Sequence, residues 1–304
     1  MAQQTTGVLA PTEPTGAGMR PKRSFWENIV NFTQRKPLGA FGAVVVIVLV
    51  VVAALAPVVA TDDPRETNAA FRFSPPNSET WLGGDQIGRD VYSRLVYGTR
   101  ISLVVGLLSV FFGVTIGAFI GIVSGYFGGI TDLVAQRIMD AMMSFPALIL
   151  ALAIMAILGA SVTNVVIALS AVFIPGAART IRSQALSIKE VDYVLAARAV
   201  GAGDWRIILR HMAPNCAATF IVLASISLGW AIVVEASLSF LGVGIPPDVP
   251  SWGGMLNGVA QNSLDVAPWL GVFPGLAIAI TVFAVNLLGD ALRDVLDPRM
   301  RGAN

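Results

Sequence analysis

The sequence predicts an all-α polytopic membrane protein with six transmembrane helices. Hydrophobic residues make up 55% of the 304 residues and charged residues only 13%, whereas soluble globular domains carry about 25% charged residues. The mean hydropathy is +0.73. A helix needs about 20 apolar residues to cross a bilayer, and six apolar runs approach or reach this length. They lie at residues 38–60, 101–124, 141–158, 164–178, 219–241 and 269–288.

Basic residues predict how these helices are oriented. Five Lys or Arg residues precede the first apolar run, six lie between residues 179 and 215, and none lies between residues 243 and 267. Because cytoplasmic loops are enriched in Lys and Arg, we expect both termini and the loop after the fourth run to be cytoplasmic. Residues 1–25 are predicted to be a disordered tail, and residues 291–304 a second cytoplasmic tail.

The segment between the first two runs is unusual for an outer loop because it contains four Arg residues, balanced by six acidic residues. Ile87, Val91 and Leu95 recur every four residues, which predicts a short amphipathic helix at the outer interface. Residues 26–100 are therefore interpreted as a first transmembrane helix, an outer loop and this interfacial helix. Residues 101–290 form the predicted transmembrane core.

Four glycines lie in the second apolar run: Gly106, Gly113, Gly117 and Gly121. The last three are spaced four residues apart, so they share one face of a helix. Small residues at this spacing allow transmembrane helices to approach closely. We expect a neighbouring helix to pack along this face.

Prolines and an irregular outer loop interrupt the helical pattern. Pro146, Pro175 and Pro274 fall in or beside apolar runs, where proline kinks helices. The loop at 244–267 is rich in Gly and Pro, which predicts turns rather than a helix. Its Trp252 is expected at the membrane interface.

The longest charged segment that also contains helix-capping and helix-breaking residues is 187–215. Ser187 and Glu190 have the spacing of a capping box, in which each side chain bonds the other residue's backbone N–H. A helix is therefore predicted to start at Ser187. It is predicted to stop near Gly201, since glycine tolerates a positive φ.

A second short helix is predicted to follow this glycine elbow. Asp204 is expected to cap it, and Pro214 to end it near residue 212 because proline cannot continue a helix. Ala196 and Ala197 lie within about one turn of the elbow, so a partner's side chains or backbone can approach it closely. The two alternatives are a docking hairpin and an ordinary loop packed on its own protein.

The order of residues in this hairpin resembles the E-A-A-x3-G-x9-I-x-L-P signature of the membrane subunits of ABC-type importers. Ala196, Ala197, Gly201 and Pro214 match it, whereas Leu195 stands where the signature has glutamate. The chain is also similar to the C-type permease of dipeptide, oligopeptide and nickel importers over residues 26–301. The matching segments are LGGDQIGRD at 82–90, GYFGG at 125–129, EASLSFLG at 235–242, PSWGGML at 250–256, DALRD at 290–294 and DPR at 297–299.

The resemblance implies a type I importer fold in a bacterial inner membrane, with the hairpin as a coupling element. The implied partners are a homologous second permease, two ABC ATPase subunits that bind ATP and Mg, and an extracytoplasmic binding protein. In this family the segment before the second run lies near that binding protein; the alternative is a loop packed on its own subunit. The residues expected to contact an ATPase are Ala196, Ala197, Arg198, Gly201, Asp204 and Pro214.

The cargo implied by the resemblance is a dipeptide or oligopeptide, with nickel complexes or other solutes as the alternative. Two further alternatives come from other functional classes. A stand-alone secondary carrier or channel also needs an apolar bundle, although such carriers often show two matching halves and no such repeat is seen here. A structural membrane scaffold is the second of these.

The sequence argues against several kinds of chemistry. A net charge of +1 argues against nucleic acid, which is bound through basic surfaces. One cysteine, Cys216, and one histidine, His211, provide neither a disulfide nor the usual metal site. None of the three lysines belongs to a phosphate-binding G-x-x-x-x-G-K-[ST] loop. We therefore expect no catalytic residue, metal or cofactor in this chain.

Two acidic residues in or near the apolar runs are candidates for function, because a charge within the membrane is costly. Glu235, with Ser237 and Ser239, is predicted either to line or gate the translocation path or to contact a partner subunit. Asp140 follows Arg137 by three residues, which predicts an ion pair within one helix.

Overall fold

The computed structural model describes residues 32–257, 259 and 265–296. The predicted tail at 1–25 and the last eight residues lie outside this range. The described chain is built from helices and turns, with one isolated antiparallel bridge between Gly84 and Asp90. The helices are α1 (Pro37–Ala54), α2 (Ala56–Val59), α3 (Val91–Phe127), α4 (Gly129–Met143), α5 (Ala147–Leu158), α6 (Val162–Lys189), α7 (Asp192–Ala199), α8 (Asp204–Phe240), α9 (Trp252–Asn257) and α10 (Trp269–Leu296).

Among the described residues, five helices are long and apolar enough to cross a membrane, namely α1, α3, α6, α8 and α10. The helices α4 and α5 form a sixth candidate as a pair bent by 90°. The predicted continuous helix at 141–158 is therefore wrong. It breaks at Pro146, which lacks an N–H and disfavours helical backbone in the residue before it. The 12 residues of α5 reach only about 18 Å.

Several helices extend well beyond the apolar runs that predicted them. Helix α3 begins at Val91, ten residues before its run, and spans 37 residues, or about 55 Å. Helix α10 continues to Leu296, so residues 291–296 belong to a helix rather than to the predicted tail. Hydropathy marks the part of a helix suited to lipid, whereas caps and packing determine where the helix ends.

The predicted interfacial helix before the second span is wrong. Ile87 lies in a turn, and Val91 opens α3. The Asp90 side chain caps this helix by accepting the Ser93 N–H at 2.7 Å. Val91 is fully buried in a cluster with Leu270 and neighbouring outer residues. Ile87 is 50% exposed and Leu95 is half-buried, so the three residues do not share one face of a helix, and only Val91 belongs to the buried cluster.

Helices α3 and α6 pack closely along the predicted glycine face. A methyl group replacing a hydrogen of Gly117 would lie 2.5 Å from the Ile174 carbonyl oxygen, and one at Gly121 would lie 2.5 Å from the Ala178 carbonyl oxygen. At Gly113 the nearest backbone atom would be 2.8 Å away. Such distances leave no room for a side chain, so the prediction is confirmed.

Helix α1 lies at the edge of the bundle. Its only described buried residues are Gly39 and Gly42, which face α10: a methyl group at Gly42 would lie 2.5 Å from the Ala284 carbonyl oxygen. Lys36, just before α1, forms an ion pair with Asp294 near the end of α10. The other side chains of α1 are largely apolar and exposed, as expected of a helix surrounded by lipid.

The outer loop departs from prediction because it contains the helix α9. Trp252 in this helix is 1% exposed and donates its indole N–H to the Leu95 carbonyl at 3.1 Å. A methyl group at Gly253 would lie 2.5 Å from the Ala236 carbonyl oxygen. Trp252 is thus an interior residue that fixes α9 on α3, rather than a membrane anchor.

Candidate functional site

The hairpin between α6 and α8 contains α7 and a glycine elbow. Gly201 has φ of +82°, and its N–H donates to the Arg198 carbonyl at 3.0 Å. The Ala202 N–H donates to the Ala197 carbonyl, also at 3.0 Å. A Cβ at Gly201 would meet no atom within 4 Å, so this position needs glycine for its left-handed backbone and not for space. The predicted end of the helix near Gly201 is confirmed.

The start of the hairpin differs from the prediction. Ser187 lies inside α6, and Glu190 follows the end of that helix. The residue that precedes α7 is Val191, which makes no side-chain capping bond. The capping-box prediction is wrong because α6 still packs on its neighbours here: Ala185 is fully buried and Ile188 contacts the same apolar cluster. This packing keeps the backbone at Ser187 helical.

The second half of the hairpin also differs. Asp204 lies in the first turn of α8 and makes no capping bond. Pro214 does not end the helix, because a π-helical turn at Ile208–Met212 comes directly before it. Pro214 then falls in the first turn of the resumed α-helix, where its missing N–H breaks no hydrogen bond. The hairpin therefore continues into the last-but-one membrane span without a break in the chain direction.

One face of the hairpin is anchored in the protein interior. Val194 from α7 and three apolar residues of α8 are at most 1% exposed. They pack against the last residues of α3 and α6 in a single cluster. Burial of a large aliphatic side chain contributes about 1.5–3 kcal/mol, so this face holds the hairpin firmly on the bundle. The three residues of α8 are Ile207, Ile208 and Met212.

The opposite side of the hairpin presents apolar side chains to solvent. We define the hairpin tip as Leu195, Ala196, Val200 and Gly201, all of which are exposed. Val200 is 85% exposed and Leu195 41% exposed. Sequence reasoning missed Val200, although its position directly before the predicted elbow was a signal for it.

The other predicted hairpin residues lie in different surroundings. Ala197 is half-buried and Pro214 is exposed. Arg198 and Asp204 both contact Tyr126, at the end of α3. The Tyr126 hydroxyl donates to Asp204 Oδ1 at 2.6 Å, and the Arg198 guanidinium carbon lies 5.4 Å from the centroid of the Tyr126 ring. Tyr126 lies in the GYFGG segment and was not predicted as a site residue.

Ion pairs connect α4 to α6 near the hairpin. Arg182 donates two hydrogen bonds to the two carboxylate oxygens of Asp132, a bidentate geometry that fixes orientation. Arg179 donates a single hydrogen bond to Asp140 Oδ1 across the same two helices. The predicted pair of Asp140 with Arg137 is wrong, because α4 lies beside α6 and offers Asp140 the Arg179 side chain.

The acidic residue of α8 is enclosed by the protein. Glu235 is fully buried, and its Oε2 accepts the Ser102 hydroxyl at 3.1 Å while its Oε1 accepts the Ser239 hydroxyl at 2.9 Å. Ser237 instead bonds a carbonyl of its own helix. The structure therefore groups Glu235 with Ser239 and with Ser102 of α3, which sequence reasoning missed. Among the described residues, no three His, Cys, Asp or Glu side chains are arranged to hold a metal ion.

Comparison with known proteins decides the family. The profile of the binding-protein-dependent transport system inner membrane component family matches residues 117–302, which include the whole hairpin. The chain belongs to this family. A second profile, the N-terminal transmembrane domain of oligopeptide transport permease C, matches residues 24–76 of this permease. Because the chain belongs to a family of binding-protein-dependent transport components, the stand-alone carrier, channel and scaffold alternatives are excluded.

Curated relatives are similar to this permease over nearly their whole length. A putative peptide transport system permease protein of Brucella suis is 44% identical over 86% of this chain and 87% of its own. The glutathione transport system permease protein GsiD of Pectobacterium atrosepticum is 40% identical over 92% of both chains. The dipeptide transport system permease protein DppC of Alkalihalophilus pseudofirmus is 38% identical over 96% of this chain and 95% of its own.

A solved structure supports the fold of the permease. An inward-facing form of the MetNI methionine ABC transporter matches with a TM-score of 0.54 and 20% identity, over 67% of this chain and 96% of that chain. The matching chain is shorter than this permease. The type I importer fold predicted from the sequence is thus confirmed.

Proposed function

We propose that this chain is one of two homologous permeases in an ATP-driven importer of dipeptides and oligopeptides, and that its hairpin docks on an ATPase subunit. Two such ATPases bind ATP and Mg and supply the energy. An extracytoplasmic binding protein delivers the cargo. The membrane topology that goes with this arrangement has both termini and the hairpin in the cytoplasm.

The observation that carries the docking proposal is the contrast between the two sides of the hairpin. The inner side is fixed by Val194, Ile207, Ile208 and Met212 in the bundle. The hairpin tip exposes Val200 almost completely. An exposed aliphatic side chain on a rigid support favours a partner with an apolar groove, as in helix-in-groove recognition.

The tip also allows close approach. Ala196 and Val200 are four residues apart, so they lie on one side of α7 and its final turn. Nothing lies within 4 Å of the place a Gly201 side chain would occupy. Leu195 stands in place of the signature glutamate, so it adds apolar surface and cannot form an ion pair with the partner. Docking here therefore relies on apolar contact more than on charge at this position.

The choice of peptide as cargo rests on the names of the relatives. They are a peptide, a glutathione and a dipeptide transport system permease, and glutathione is itself a tripeptide. Their similarity covers nearly the whole chain, including both the outer segments and the hairpin.

The proposal is tested by expressing this chain, tagged, with its genomic neighbours and purifying it in mild detergent. We expect a second permease and Walker-type ATPases to purify with it, and the complex in proteoliposomes to take up labelled dipeptide when ATP and the binding protein are present. Purification of the chain alone, without ATPase activity, would contradict the docking proposal. Uptake of another solute but no peptide would contradict the cargo only.

A further inference from the structure

Tyr126 joins three helices at the inner end of the bundle. It is the next-to-last residue of α3 and is 5% exposed. Its hydroxyl donates to Asp204, the first residue of α8. Arg198 of α7 lies over its ring. The two helices α7 and α8 therefore both contact the same side chain of α3.

The position of Tyr126 is fixed by its surroundings. A methyl group at the preceding Gly125 would lie 3.0 Å from Ala185 Cβ of α6, so the end of α3 is in direct contact with α6. Ile122, one turn earlier, packs in the same apolar cluster. Gly128, with φ of +66°, ends α3 directly after this contact. The backbone of Tyr126 is therefore held by the packing of α3 on α6.

The backbone that joins the hairpin to the bundle departs from regular α-helix on both sides. Helix α6 ends at Lys189 and α7 begins only after Val191. On the other side the π-helical turn at Ile208–Met212 interrupts α8, and π turns are departures from regular helix often found at functional sites. A displacement of the hairpin is therefore absorbed partly at these two places.

The non-covalent contacts differ in how they pass on a displacement. Apolar contacts such as those of Val194 are non-directional, so they hold the hairpin against the bundle without defining the direction in which a displacement is passed on. A hydrogen bond to a carboxylate has a defined direction and length. A cation over an aromatic face is likewise held near the ring axis. Tyr126 makes both contacts.

Helix α3 is well placed to carry a displacement onward. It packs on α6 through Gly117 and Gly121 without space for slippage. Towards its outer end, Ser102 bonds the buried Glu235 of α8 and the Leu95 carbonyl accepts from Trp252 of α9. A movement of the inner end of α3 therefore reaches the outer loop.

We propose that Tyr126 is a positioning residue that transmits movement of the hairpin to α3. The inference rests on the proposed docking of the hairpin on an ATPase. Arg198 and Asp204 then act chiefly within the chain, where they contact the ring and the hydroxyl of Tyr126, rather than by contacting the ATPase subunit.

The test compares Tyr126→Phe with the wild type in the complete complex in proteoliposomes. Phenylalanine keeps the ring under Arg198 and removes the hydroxyl that donates to Asp204. We expect ATPase subunits to co-purify and ATP hydrolysis to continue, while the amount of dipeptide imported per ATP falls about five- to ten-fold, the lower end of the range for a typical coupling energy. Import per ATP equal to the wild type would overturn the proposal.

Two variants of Asp204 test the same bond from the other side. Asp204→Ala removes the acceptor and should reproduce the loss of coupling, whereas Asp204→Asn keeps an oxygen acceptor and should restore most of it. The double variant Tyr126→Phe with Asp204→Ala should be no worse than either single variant, because both remove one bond. Additive losses would overturn the proposal. If Tyr126→Phe reduces the amount of folded protein, the proposal is judged from the two Asp204 variants, because Asp204 is exposed and its substitution should not disturb folding.

Tyr193→Phe is the matched control. Tyr193 also lies in the hairpin, and its hydroxyl bonds the His211 carbonyl within the hairpin at 3.4 Å. Loss of this hydroxyl should leave import per ATP unchanged. The two proposals fail differently: without co-purifying ATPases the docking proposal falls, whereas co-purification with normal coupling in Tyr126→Phe removes only the role of Tyr126.

Discussion

At the scale of single residues, glycines serve two different purposes in this permease. Gly201 adopts φ of +82° with open space around it, so its role lies in the backbone. Gly117 has ordinary helical backbone, but a methyl group there would lie 2.5 Å from α6, so its role is close packing. Sequence spacing predicted both glycines, because a four-residue repeat and an elbow have different patterns.

Gly201→Ala should therefore weaken coupling without harming the bundle. A non-glycine residue in the left-handed region costs about 1–2 kcal/mol, enough to disorder the elbow while the anchored face stays packed. Gly201→Asn should be milder, since asparagine tolerates this region. The measurement is dipeptide import per ATP beside the yield of folded protein.

Gly203→Ala provides the control in the same elbow. Gly203 has φ of −67° and nothing within 4 Å of a built Cβ, so alanine fits there without strain. A loss of coupling with Gly203→Ala equal to that with Gly201→Ala would contradict the backbone explanation.

At the scale of elements, helix ends were the least predictable feature. Hydropathy located the membrane-crossing helices, and Pro146 marked the break between α4 and α5. The capping pattern at Ser187 misled because burial of Ala185 and Ile188 on the apolar cluster outweighs a local capping preference. Pro214 misled because the π turn before it lets the helix continue. Both outcomes depend on tertiary contacts that a single sequence does not display.

The contact between α3 and α8 at Glu235 gives a prediction at this scale. Glu235→Ala leaves the Ser102 and Ser239 hydroxyls without their buried acceptor, and each unsatisfied group costs about 1–3 kcal/mol. We expect a clear fall in the unfolding temperature of the detergent-purified permease. Glu235→Gln keeps the volume and one acceptor, so it should stay near the wild type.

Ser237→Ala is the control, because the Ser237 hydroxyl bonds only within α8. Equal unfolding temperatures for Glu235→Ala and Glu235→Gln would contradict a stabilising contact between α3 and α8 at Glu235. The roles of Glu235, Ser237 and Ser239 in the translocation path stay a prediction. A loss of transport in Glu235→Gln with unchanged stability would support it.

At the scale of the whole molecule, composition and charge predicted a multi-pass membrane protein, and the hairpin signature predicted its family. The segments before α3 and around α9 were harder to predict. Trp252 and Val91 lie in patterns typical of a membrane interface, yet both are buried: Trp252 bonds α3, and Val91 packs in a cluster with Leu270. The cargo cannot be inferred from the fold, since proteins of the same architecture are named for different solutes.

The most direct test of the central claim is the amount of ATPase that purifies with a Val200→Asp variant. Val200 is 85% exposed, so the change costs the isolated permease little but places a charge in an apolar docking groove. Ile157→Asp is the matched control, because Ile157 is also an aliphatic residue with 85% exposure and lies at the opposite end of the bundle. We expect about a ten-fold or greater loss of bound ATPase with Val200→Asp, as for an interface hot spot, and none with Ile157→Asp. Full retention of ATPase by Val200→Asp, at equal amounts of folded permease, would contradict it.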